Sequence, residues 1–201
     1  MVPEPAAPLP NPTEAFTHVR VIMGMVLGLA VSRLLAGLSR FVQHPRREAV
    51  FLPHLVWVAF MLVAIVRFWW FEFYLRHISE WTFTTYAFLF VYTGTYFLAS
   101  PLLFPDSMEE YRGYRDYFLS RRGWFFGLLV ALFLLDIVDT KLKGLDHLQR
   151  LGPEYFAHCF ALIVLAVAGM LTQISAGQLI IALLSLAVLV TFTARHFLFL
   201  Y

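Results

Sequence analysis

The run VRFWWFEFYLR at residues 66–76 sets Arg67 and Glu72 among two tryptophans, three phenylalanines and a tyrosine. A guanidinium and a carboxylate in apolar surroundings need counter-charges, water or a bound ion. The two are poor partners for each other, because five residues apart on a helix places them about 140° from one another. Glu72 has a local candidate in Arg76, in the favourable i,i+4 order. Arg67 has none on its own helix and requires something from another segment.

Further charges lie in similar company. The segment LLDIVDTKLKG carries Asp136 and Asp139 on one face, with Lys143 four residues beyond Asp139. Asp139 and Lys143 read as a boundary ion pair. Asp136 is deeper, at the expected level of Glu72, and two carboxylates at one level could share a proton or hold a cation. Arg33 is deeper than Arg40 on the same helical face. Arg33, Arg67, Glu72, Asp136 and Asp139 are therefore the candidate pathway residues of the membrane interior.

Histidine supplies a second chemistry. His18, His77, His147, His158 and His196 come from separate segments and fall towards one side, whereas His44 and His54 fall towards the other. His18, His77, His158 and His196 are the candidate metal or haem ligands. No pair among them has a diagnostic ligand spacing. The single cysteine, Cys159, lies in an apolar run and reads as a small core residue.

The elements that must position these groups are helices in lipid. Of 201 residues, 60% are hydrophobic and 14% charged, against about 25% charged in soluble domains; mean hydropathy is +0.72. A chain this short cannot hide that apolar excess from water. Crossing the hydrocarbon layer takes about 20 apolar residues of helix. The expected spans are 18–42, 51–76, 82–104, 122–140, 154–173 and 176–200, giving an all-α, polytopic membrane bundle of about six transmembrane helices. Runs such as FFGLLVALFLLDIV lack the alternation of a barrel strand.

Residues 1–17, rich in proline, are expected to form a disordered tail, and the start lacks the basic and apolar parts of a secretory signal. Residues 18–201 then form the membrane domain. Ser107 with Glu110 resembles a capping box, and Tyr111, Tyr114 and Phe118 share a face. An interfacial helix is therefore expected over 107–119. Pro53 and Pro153, Phe60 and Phe160, and Leu62 and Leu162 recur at an offset of 100, which raises a 3+3 inverted repeat.

Six spans place both termini on one side of an integral membrane protein. Seven basic residues on the loop side (Arg40, Arg46, Arg47, Arg112, Arg115, Arg121 and Arg122) face six on the terminal side (Arg20, Arg76, Lys141, Lys143, Arg150 and Arg195). That difference orients the termini only weakly, as non-cytoplasmic. In size and hydropathy the chain resembles small bacterial polytopic membrane proteins, so a bacterial inner membrane is the expected location.

Function classes narrow accordingly. The net charge of +2 is dispersed, which disfavours nucleic acid as a partner. There is no GxGxxG, Walker, HExxH or GxSxG motif. YTGTYF at 92–97 lies inside an apolar span and cannot act as a potassium filter. Short connections leave no room for a soluble active site, so an enzyme is disfavoured. Transport or channel activity for an ion, proton or small solute is the leading expectation. An accessory subunit of a larger membrane complex is the alternative, and a haem- or metal-binding redox protein the second. Lipid is the expected surrounding, with a homo-oligomer or larger complex as the expected assembly.

Overall fold

A computed structural model describes residues 11–44, 49–78 and 80–196. All regular structure among these residues is helical: α1 (Pro12–Gln43), α2 (Leu52–Phe71), a 3-10 segment (Glu72–His77), α3 (Phe83–Ala99), α4 (Tyr114–Leu142), α5 (Leu145–Leu171) and α6 (Ser175–His196). Four stretches are long and apolar enough to cross a membrane: α1, α2 with its 3-10 extension, α5 and α6. α3, at 17 residues, is shorter than these. Exposed Met25, Leu29, Val66, Phe90, Phe160 and Leu183 give the outer surface the apolar character of a lipid-facing bundle.

Local chemistry explains where the elements start and stop. α1 begins at Pro12, where proline loses no useful donor, and the Asn11 side chain accepts from the Thr13 amide at 3.2 Å. The expected tail therefore ends earlier than residue 17; its first ten residues lie outside the described ones. The fifth helix starts before residue 154 but is broken at Gly152, whose φ of 64° and ψ of −170° are non-helical. Pro153 follows and opens the longer segment, because its missing N–H is harmless in a first turn. The second span does not remain α-helical throughout: it tightens into a 3-10 turn at Glu72, a common way to finish a helix.

The expected interfacial helix at 107–119 is corrected. Residues 107–113 are non-helical, and Tyr114 begins a continuous 29-residue helix that contains residues 122–140, the fourth expected span. Gly113 sets the boundary, since its φ of 137° suits glycine and not an L side chain. Ser107 accepts from the Glu109 amide, so the Ser107–Glu110 capping box does not form as expected. Tyr114 and Phe118 are buried rather than laid on headgroups. Their aromatic area is satisfied by the rings of Phe41, His54 and Phe104.

α2 is the central helix. Over half of its most apolar window, 56%, is buried, compared with 28% for α1, 33% for α5 and 28% for α6. It packs on α1, α4 and α6, while α3 joins α1 to α4 and α5 joins α4 to α6. The packing does not repeat between halves: α1 packs closely on α3, but the corresponding α4 and α6 have no comparable contact among the described residues. Phe60 is buried and its offset mate Phe160 is exposed. The recurrence at 100 residues therefore does not produce equivalent environments.

Candidate functional site

Five ionisable side chains converge in the interior from α2, the 3-10 turn and α4. Arg67, Glu72, Asp136, Asp139 and Lys143 are all buried. Arg67 Nη2 lies 3.7 Å from Asp136 Oδ2, an ion pair without a direct hydrogen bond. Its guanidinium also lies near the rings of Phe71 and Phe192, at 5.9 and 5.7 Å to the centroids. The partner of Arg67 thus comes from the fourth helix, with aromatic faces of α2 and α6 alongside.

Asp136 is unusually well supplied with donors. The Tyr92 hydroxyl donates to Oδ1 at 3.0 Å, and Tyr155 lies 2.9 Å from both Oδ2 and the Asp136 backbone oxygen. Thr140 donates to the Tyr155 hydroxyl at 2.8 Å, and the Cys159 thiol is 3.8 Å from Oδ2. Such donors stabilise an ionised carboxylate where water is absent. Four helices, α2 to α5, therefore build one pair.

One turn away, the Lys143 ammonium donates to Glu72 Oε1 at 2.8 Å and to Asp139 Oδ2 at 2.5 Å. It also lies 3.8 Å from the Phe71 ring centroid. The expected Asp139–Lys143 pair is present in the structure but enclosed, with Lys143 showing none of its side chain to solvent. The Glu72–Arg76 pairing is not formed: winding into the 3-10 turn aims Glu72 at Lys143, while Arg76 is exposed. The shared carboxylate level likewise joins Glu72 to Asp139 through Lys143, and Asp136 is engaged by Arg67.

Arg33 stands apart from this network. It pairs with Asp106 at 2.6 Å, with side chains 43% and 80% exposed. Exposed ion pairs contribute little, so Asp106→Asn should change the unfolding free energy by less than about 1 kcal/mol. Reversible denaturation in detergent micelles measures it; a loss several times larger would mean that Arg33 is buried in the membrane with no other partner.

The proposed histidine ligands do not meet as a metal centre. Among the described residues, no group of three or more His, Cys, Asp or Glu side chains is placed to hold a metal ion. His18 is exposed beside the Tyr86 ring, and His77 is exposed against its own turn, with Nδ1 near the Tyr74 carbonyl. His158 and His196 both stack on the Phe192 ring, at 4.2 and 4.4 Å between centroids. Stacking places their ring faces, not their nitrogens, towards a common point. Both His158 nitrogens are buried with no hydrogen-bond partner.

No family model, curated protein or solved structure matches this chain. What the site can do must therefore follow from its own geometry.

Beyond the charges, towards His54, the interior is aromatic and closely packed. Trp57 meets Phe60, Phe125 and Phe126 edge-on at 5.1–5.5 Å, and Phe118 and Phe133 extend the layer. His54, fully buried, contacts the Leu103 carbonyl through Nε2 at 2.5 Å; a carbonyl only accepts, so Nε2 carries the hydrogen. On the opposite flank, Glu72 and Arg20 line a narrow cleft between α1 and the end of α2. The charges thus sit between an aromatic closure and a cleft.

Several members of the site escaped the sequence reading. Tyr92 and Tyr96 are the outer residues of YTGTY, and their i,i+4 spacing puts both on the buried face of α3. Tyr155 and Cys159 have the same spacing on α5. Both pairs look like ordinary packing until Asp136 is placed between them. At the end of α5, the Gln178 side-chain amide donates to the Gly169 and Thr172 carbonyls at 2.7 and 2.9 Å.

Proposed function

We propose that this chain is an integral membrane transport protein with six crossing helices, moving an ion or small solute by way of the buried Arg67–Asp136 and Glu72–Lys143–Asp139 network. The observation that carries this reading is the enclosure of five ionisable groups in one helical bundle. Each such charge costs roughly 2.5–3.5 kcal/mol or more within a membrane, and a packed apolar interior would avoid that cost.

The aromatic layer favours a transporter over an open channel. An open pore needs a continuous wet route, whereas Trp57, Phe125 and Phe126 fill the space on one side of the charges. Movement across the membrane would then require α2 and α4 to part at this layer, exposing the network alternately to each side. The pairs Arg67–Asp136 and Glu72–Lys143–Asp139 also form within one chain, which gives the accessory-subunit reading less to explain. The haem or metal reading lacks a convergent ligand set among the described residues.

The test uses the full chain in sealed proteoliposomes with an imposed ion gradient and an internal dye reporting ion flux. Glu72→Gln removes one charge yet keeps a hydrogen-bonding shape, so the fold should survive while flux falls at least about tenfold, as expected when an intramembrane pathway charge is lost. Wild-type liposomes with no flux under proton, sodium and potassium gradients would remove the ion-transport reading.

A further inference from the structure

The buried groups do not balance. Arg67 and Lys143 are two cations, and Glu72, Asp136 and Asp139 are three carboxyl groups. Asp136 is accounted for by Arg67 and by the hydroxyls of Tyr92 and Tyr155. That leaves Glu72 and Asp139 with Lys143 as their shared cation. Lys143 can neutralise one carboxylate, so the second must be uncompensated, protonated or bound to a cation.

Geometry distinguishes these cases. Glu72 and Asp139 are 5% and 0% exposed, and one oxygen of each, Glu72 Oε2 and Asp139 Oδ1, is buried with no hydrogen-bond partner. A bare carboxylate oxygen in that position has neither water nor donor and is strongly disfavoured. A monovalent metal ion needs several oxygen ligands, and Lys143 already occupies the point between the two carboxyls. A proton needs no extra space and supplies the missing charge.

We infer that Glu72 and Asp139 hold one proton between them around Lys143, and that this proton is the ion the network exchanges. The second half of the inference rests on the transport reading above; the first half does not. Other charged and titratable groups face the pair from each neighbouring element. Arg20 of α1 lines the cleft with Glu72. Tyr92 and Tyr96 come from α3 and Asp136 from α4, with Arg67 of α2 beyond them on Asp136. His147 of α5 packs at a tilt against Phe71 and Tyr74 near Lys143. None of them places a hydrogen bond on the two open oxygens. The cleft on the Arg20 side offers the proton its route to Glu72.

Infrared spectroscopy of the full chain in lipid nanodiscs tests this directly, because a protonated carboxyl has a C=O stretch that a carboxylate lacks. At neutral pH the wild type should show one such band, shifted in D2O and lost in the Glu72→Gln/Asp139→Asn double variant. Lys143→Gln removes the shared cation, so the band area should rise about twofold as both carboxyls take protons. A wild type without the band overturns the inference even if no variant folds, as does a band that survives the double substitution. A band present without proton flux leaves the proton site standing and removes only the transport role. Flux of another ion, with no band, does the reverse.

Discussion

Arg67→Leu is expected to destabilise the protein by about 3–5 kcal/mol, the usual penalty for removing one partner of a buried ion pair. The loss comes less from the attraction across 3.7 Å than from what remains. Asp136, 5% exposed, would be left with neutral hydroxyls and a thiol as immediate donors and Lys143 one turn away, and would either carry an uncompensated charge or take a proton at the expense of its donor set. Reversible unfolding in mixed micelles measures the effect. The double variant Arg67→Leu/Asp136→Leu should recover most of the loss, because it leaves no charge stranded and substitutes apolar groups. If the single variant is as stable as wild type, Asp136 is not held by Arg67, and the central pair of the proposed site is wrong. If the double variant is no better than the single one, the cost lies in lost packing around the guanidinium, against Phe71 and Phe192.

The aromatic layer gives the second large effect. Trp57→Ala should cost about 3–5 kcal/mol, because it empties a position that is 1% exposed and edge-packed by three phenylalanines. In a bilayer this cost is chiefly lost dispersion contact, since lipid and protein interior are similarly apolar. Trp57→Phe should lose far less. The Trp57 indole N–H is buried without an acceptor, so removing it gives back part of what the smaller ring loses. Comparing the two variants in the same unfolding assay separates volume from polarity. Under the transport reading, Trp57→Ala should also raise uncoupled leak in proteoliposomes. A stable Trp57→Ala protein would show that the layer is loosely packed and not a closure.

Arg67 is the residue whose environment depends most on distant segments. Arg67 is marked as anomalous by its apolar neighbours alone, and helical geometry alone rules out Glu72 as its partner. Naming Asp136 required knowing that α4 packs beside α2, a relation no local pattern contains. The same holds for Glu72. Its i,i+4 match with Arg76 was a sound expectation for a continuous α-helix, and the 3-10 turn overrode it by rotating the carboxylate towards Lys143.

What the chain made legible was therefore local: apolar length, helical period, and the places where charge interrupts both. These give the helical class and the membrane setting, because hydrocarbon tolerates few backbone solutions. Boundaries were less legible where glycine intervened, at Gly113 and Gly152, since a positive φ is permitted by the residue but chosen by the packing. Which charge faces which, and that three carboxyls meet two cations, was decided only by tertiary structure. Electrostatic pairing acts across space over a few ångströms, and the residues concerned are up to 71 positions apart in sequence.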